Sequence, residues 1–91
     1  MSQAPTQTWS DQQRDLAKRV ATAMLSNDLY SQSLGMRIVE AEPERCLMAL
    51  TVGEQHLNGH KICHGGAIFS LADTAFAHAC NSHNLTTVSQ A

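Results

Sequence analysis

Charge and aromatic rings are both scarce in this chain: 15% of its 91 residues are charged and 4% aromatic, against 43% hydrophobic. A core with so few rings must be aliphatic and alanine-rich, and so little charge implies surface covered by a partner or by further residues. The six basic residues, Arg14, Lys18, Arg19, Arg37, Arg45 and Lys61, are scattered over a chain of formal charge -2, which argues against nucleic acid as a partner. No stretch approaches the roughly 18 continuous apolar residues of a membrane span, and the Gln- and Thr-rich N-terminus lacks a leader's hydrophobic centre. A cytoplasmic protein without a membrane partner is expected. Cys46, Cys63 and Cys80 make an odd count without framework spacing, which fits a reducing compartment.

Residues 1–9 read as a disordered tail, polar and without period, and residues 10–91 as a portion of one domain. Ser10 offers an N-cap with Gln13 three places on. Leu16, Ala17, Val20, Ala23, Met24 and Leu25 then recur at helical spacing, predicting an amphipathic helix that ends near Asn27-Asp28. A short turn over Leu29 to Ser33 is stopped by Gly35. Met36 to Ala41 and Arg45 to Val52 read as two strands, the second apolar on both faces apart from Thr51 and so expected to be covered on both sides. Gln55 to Cys63 is irregular and polar.

A helix is predicted from Gly65 or Gly66 to about Cys80, roughly 25 Å long and apolar nearly all round, which is the pattern of a central helix. Leu85 to Ala91 reads as the start of another strand. Two strands and part of a third cannot enclose such a helix, so the chain is expected to be a truncated portion of a longer domain, or else to complete its core in an oligomer.

Chemistry concentrates around the central helix. The glycines Gly65 and Gly66 allow close approach to backbone N–H groups that have no intrahelical partners, a potential oxyanion site. The ordinary structural reading is a tight helix entry. His64 has three open uses: orienting the loop, donating to a carbonyl, or pairing with backbone. Asp73 lies in the helix with no cation one turn away, and a carboxylate in such surroundings is costly unless paired, hydrogen-bonded or useful. Ser70 is a candidate donor to it; a catalytic base or nucleophile is the functional reading. About 10 Å of rise separates Gly66 from Asp73, too far for one reacting carbon. A two-fold dimer with antiparallel central helices would bring Asp73 of one subunit to the glycines of the other. Such a pair suits attack on a thioester, whose thiolate leaves without a strong general acid.

Other constellations are weaker. His56, His60, Cys63 and His64 match no standard zinc spacing, so no metal is expected, and adjacent Cys63 and His64 make a poor nucleophile and base. His78 is expected on the less buried side or near a dimer partner, and His83 in a turn. Phe69, Phe76 and Met48 are core residues by default, any of which can line an acyl pocket. Asn27 reads as a helix C-cap.

Leu57-Asn58-Gly59-His60, followed by Cys63-His64-Gly65-Gly66 and Leu71-Ala72-Asp73-Thr74-Ala75-Phe76, closely resembles the PaaI group of hotdog-fold acyl-CoA thioesterases of phenylacetic acid degradation. The resemblance covers Asn27 to the end of the chain. It implies an α+β hotdog fold, a long central helix wrapped by an antiparallel sheet and here truncated after the helix, in dimers commonly assembled to tetramers. It implies hydrolysis of phenylacetyl-CoA or a ring-hydroxylated relative, with coenzyme A part of the substrate and no separate cofactor. Asp73 then corresponds to the base or nucleophile, Gly65 to the oxyanion donor, His64 to a residue positioning the thioester, and Asn27 to an asparagine near the catalytic centre. Gly66, Asn58, Phe69 and Thr74 fall on the substrate side. Two other readings stay open: a non-catalytic acyl-CoA-binding or structural dimer of the same fold, and a hydratase, for which a second acid or base is missing.

Overall fold

The computed structural model describes residues 8–83. Residues 1–7 of the tail expected over residues 1–9, and the strand expected from Leu85 to Ala91, lie outside that range. The order of elements is helix α1 (Asp11–Ser26), short helix α2 (Leu29–Ser33), strands β1 (Arg37–Glu42) and β2 (Arg45–Ala49), a single 3-10 turn (Glu54–His56), and helix α3 (Gly65–Cys80).

Helix α1 starts where Ser10 and Gln13 satisfy each other's orphan amides. The Ser10 hydroxyl accepts from the Gln13 N–H at 3.0 Å, and the Gln13 side chain accepts from the Ser10 N–H at 2.8 Å, the reciprocal cap that sequence alone predicts. Asn27 closes the helix, its backbone N–H bonding Ala23 and Met24. Asp28 then caps α2, and Gly35 takes the positive φ of +78° that turns the chain into β1, a conformation open to glycine at little steric cost.

β1 and β2 pair antiparallel, Arg37 opposite Ala49 and Glu42 opposite Arg45, with an irregularity between Ile38 and Glu40. β2 pairs only as far as Ala49, short of the expected Val52. The expectation that β2 is covered on both sides fails among the described residues. Met48 is buried against α3, whereas Leu47, of opposite parity, is 48% exposed.

α1 packs on β1 and α3 on β2, and Ala17, Ala21, Met36, Ala41, Met48 and Ala67 form the small core. The hairpin is pinned to the end of α3 by buried Ser82, whose hydroxyl accepts from the Glu44 N–H at 2.6 Å. The predicted apolar circumference of α3 is present, but only Ala67 and His78 of that helix are buried, and Ile68, Phe69 and Phe76 are more than half exposed among the described residues. No described helix is long and apolar enough to cross a membrane.

Candidate active site

The entrance to α3 is built from the chain that precedes it. His64 adopts extended backbone and is the N-cap, its Nδ1 accepting from the Gly66 N–H at 2.8 Å. That acceptance leaves the ring proton on Nε2, which has no hydrogen-bond partner among the described residues. The His64 carbonyl accepts from Ala67 at 2.9 Å and Ile68 at 3.3 Å, and its N–H donates to the His56 carbonyl at 2.7 Å.

The two glycines therefore differ. Gly66's amide is engaged by the imidazole next to it, whereas the Gly65 N–H has no hydrogen-bond partner among the described residues. A Cβ at Gly65 would meet nothing within 4 Å. The open amide and the partial positive charge of the helix N-terminus act in the same place.

Asp73 lies two turns further along α3, half-buried, with no hydrogen bond or ion pair to any described residue. The candidate donor Ser70 does not serve it: the Ser70 hydroxyl meets the Tyr30 phenol at 2.9 Å. Thr74, the other neighbour, faces the Ser31 hydroxyl at 3.4 Å. Eight residues of rise, about 12 Å, separate Gly65 from Asp73, more than one reacting carbon can span.

The remaining predicted residues are placed as follows. Asn27 is exposed, and its Nδ2 donates to the Ala23 carbonyl at 2.9 Å, so the side chain serves as a C-cap while its Oδ1 stays available. Asn58 shapes the loop before α3, its Oδ1 accepting from His60 at 2.8 Å and Ile62 at 3.3 Å. Phe69 projects from α3 with its ring exposed.

A polar seam was missed by sequence reasoning. Ser70, Thr74 and His78 recur every four residues on α3 and meet Tyr30, Ser31 and Asp28 from the α2 region. Asp28 accepts from the Ser31 hydroxyl at 2.5 Å and from its N–H at 3.0 Å. These bonds, the hydroxyl first, hold the Asp28 carboxyl below the ordinary range of about 3.8. Of the two placements expected for His78, the less buried side is corrected: it is 4% exposed, its Nδ1 has no hydrogen bond among the described residues, and burial lowers its pKa while Asp28 opposes the shift. The helical spacing of the three residues was visible beforehand, but their partners, 40 or more residues earlier, were not.

Of the four weighed metal ligands, His56 has both ring nitrogens engaged within the fold and His64 has Nδ1 engaged. Among the described residues no group of three or more His, Cys, Asp or Glu side chains is placed to hold a metal ion.

Against this geometry the comparisons with known proteins agree. A model described as the Thioesterase superfamily matches residues 60–90. The Escherichia coli acyl-coenzyme A thioesterase PaaI is 49% identical over 71 residues, covering 78% of this chain and 51% of that protein. Putative esterases from Archaeoglobus fulgidus and Deinococcus radiodurans are 44% identical over 68 residues and 54% identical over 52, covering 75% and 57% of this chain and 44% and 36% of theirs. The solved structure of the E. coli PaaI protein from the phenylacetic acid degradation operon superposes with a TM-score of 0.73 at 47% identity, covering 77% of this chain and 51% of that one. The chain spans about half the length, or less, of the curated relatives it matches. The fold is thus the hotdog-like α+β arrangement expected from the motif, a central helix against an antiparallel sheet.

Proposed function

The chain resembles the PaaI-type hotdog thioesterases in sequence and in fold, and we propose on that premise that it supplies half of a shared active site hydrolysing acyl-CoA thioesters. The observation that carries this reading is a half-buried carboxylate, Asp73, and an open amide, Gly65, on one helix, each without a hydrogen-bond partner among the described residues. A fold that used Asp73 only for packing would satisfy it.

In the proposed reaction Asp73 takes a proton from water and the resulting hydroxide adds to the thioester carbon. The carbonyl oxygen becomes an oxyanion held by the Gly65 N–H, with the free Nε2–H of His64 positioning the thioester carbonyl. Collapse breaks the carbon–sulfur bond and releases coenzyme A thiolate, a good leaving group with a pKa near 8.5. The thiolate is reprotonated from Asp73, and the free acid departs. Direct attack by Asp73, giving an anhydride that water opens, uses the same parts.

Because about 12 Å of rise separates the two groups, the site needs a second copy with α3 antiparallel, so that Asp73 of one subunit faces Gly65 of the other. The exposed Ile68, Phe69 and Phe76 on α3 support a homodimer, and a tetramer built from two such dimers is the proposed assembly. Residues 10–91 form the N-terminal part of one such domain in this reading, working in the cytoplasm. The proposed substrates are phenylacetyl-CoA or a hydroxyphenylacetyl-CoA, with Phe69, Thr74, Asn58 and Gly66 on the substrate side and Asn27 near the centre. Aryl preference rests on the likeness to a protein from the phenylacetic acid degradation operon.

The test is thiol release by the intact protein from a panel of aryl and alkyl acyl-CoAs and crotonyl-CoA, with and without Asp73→Asn. The substitution should lower kcat by about 1,000-fold or more while acyl-CoA binding persists. Unchanged turnover, or binding without hydrolysis by the unmodified protein, would overturn the enzyme in favour of an acyl-CoA-binding dimer. Hydration of crotonyl-CoA in place of thiol release would make it a hydratase.

A further inference from the structure

We propose that His56, which lies outside the catalytic constellation, is a positioning residue that sets where the Gly65 amide points. The inference rests on the thioesterase reading for what that amide does, but its geometry is independent of it.

His56 is 1% exposed, so both nitrogens of its ring must find partners inside the protein. They find opposite kinds. The Gly53 N–H can only donate, so Nδ1 accepts from it at 2.8 Å. The Leu34 carbonyl can only accept, so Nε2 carries the proton and donates to it at 2.6 Å. The ring is thereby fixed in one neutral tautomer. It joins the end of α2 to the chain leaving β2, at Leu34 and Gly53, two residues 19 apart in sequence.

The same residue holds the entrance to α3 through its backbone. The His56 carbonyl accepts the His64 N–H at 2.7 Å, one of the short backbone bonds outside regular structure, and Leu57 bridges Cys63 directly behind it. The loop between is stiffened from within. Asn58 bonds Ile62 and Lys61 through its backbone and His60 and Ile62 through Oδ1, and Lys61 takes a positive φ of +63°. A loop closed this tightly transmits the position of its first residue to its last. His64 is then held on both sides, by the His56 carbonyl behind and by the Gly66 N–H ahead. The peptide between His64 and Gly65, which carries the open amide, has little freedom left. A misplacement of about 1 Å in such a donor costs on the order of 100-fold in rate, which is the reason for a fold to buy rigidity here with a buried imidazole.

The test is a graded series in the intact protein. His56→Gln keeps one acceptor and one donor, His56→Asn keeps reach to Gly53 alone, and His56→Leu keeps volume and neither bond. Three quantities are read at a temperature where each variant is folded: kcat and KM for phenylacetyl-CoA, and amide hydrogen exchange at His64. The expected order of kcat is His, Gln, Asn, Leu, with Leu down about tenfold or more, KM within about threefold throughout, and exchange at His64 faster in the same order. Equal kcat across the folded variants, with only the melting temperature falling, would reduce His56 to a structural staple and overturn the proposal. If His56→Leu does not fold, the comparison of Gln with Asn decides in the same way. Where the unmodified protein hydrolyses no acyl-CoA, the thioesterase reading is what has failed, and His64 exchange in His56→Asn still decides positioning: faster exchange supports it, unchanged exchange overturns it.

Discussion

The Tyr30 phenol and the Ser70 hydroxyl meet at 2.9 Å across the contact between α2 and α3. The hydroxyl one turn before Asp73 is therefore bonded to another helix, and the carboxylate is left with no donor among the described residues. Asp73 does not hold this part of the fold together.

It follows that Asp73→Asn should cost little stability. Substitutions away from a fold's supporting contacts usually fall within about 0.5 kcal/mol, and chemical denaturation of the intact protein should place the variant in that range. A loss of about 3 kcal/mol or more would show the carboxylate to be a structural group with a partner.

The two glycines should separate in the same way. Gly65→Ala meets open space, so the fold should tolerate it, while the added methyl stands beside the open amide and should lower kcat about tenfold or more. Gly66→Ala brings a Cβ to 3.1 Å from Nδ1 of His64, so the ring must give by a few tenths of an ångström and its cap bond to the residue 66 N–H lengthens. Melting temperature should drop for Gly66→Ala and not for Gly65→Ala.

His78 should make stability depend on pH. Its folded-state pKa lies below the ordinary value of about 6.5 because burial disfavours the charged ring, with Asp28 opposing. The unfolded chain then binds more protons than the folded one just below pH 6.5, so stability falls as pH drops through that window. Asp28, depressed by Ser31, adds stability that is lost only at more acidic pH, below about 3.8. Unfolding free energies from pH 8 to 4 should show the first decline in the unmodified protein and none in His78→Phe between pH 7 and 5. A decline of equal size in both would assign it to other groups.

How much of this was legible depends on how far apart the interacting residues lie. The Ser10 and Gln13 cap, the end of α1 near Asn27, the stop at Gly35 and the span of α3 were all readable, since each depends on residues within one turn. The strands were placed to within a residue or a few, and β2 ended early because only Ala49 and its predecessors find partners in β1. The motif around His64, Gly65 and Asp73 named the family resemblance that sequence and fold comparisons bear out. Which glycine amide is free was not readable, because that depends on where the ring of His64 turns. Nor were Ser82's hold on Glu44, the seam under α2, or the bond from His56 to the Leu34 carbonyl, each joining residues about 20 or more positions apart.

By itself the sequence determined what is local: helix caps, turn glycines, the apolar character of α3 and the presence of one carboxylate in it. The tertiary structure decided which polar groups are satisfied, and that is what separates Asp73 from Ser70 and Gly65 from Gly66. The reason is physical: helix propensity and capping act between near neighbours along the chain, whereas a buried donor or acceptor is satisfied by whatever the fold brings within 3 Å of it.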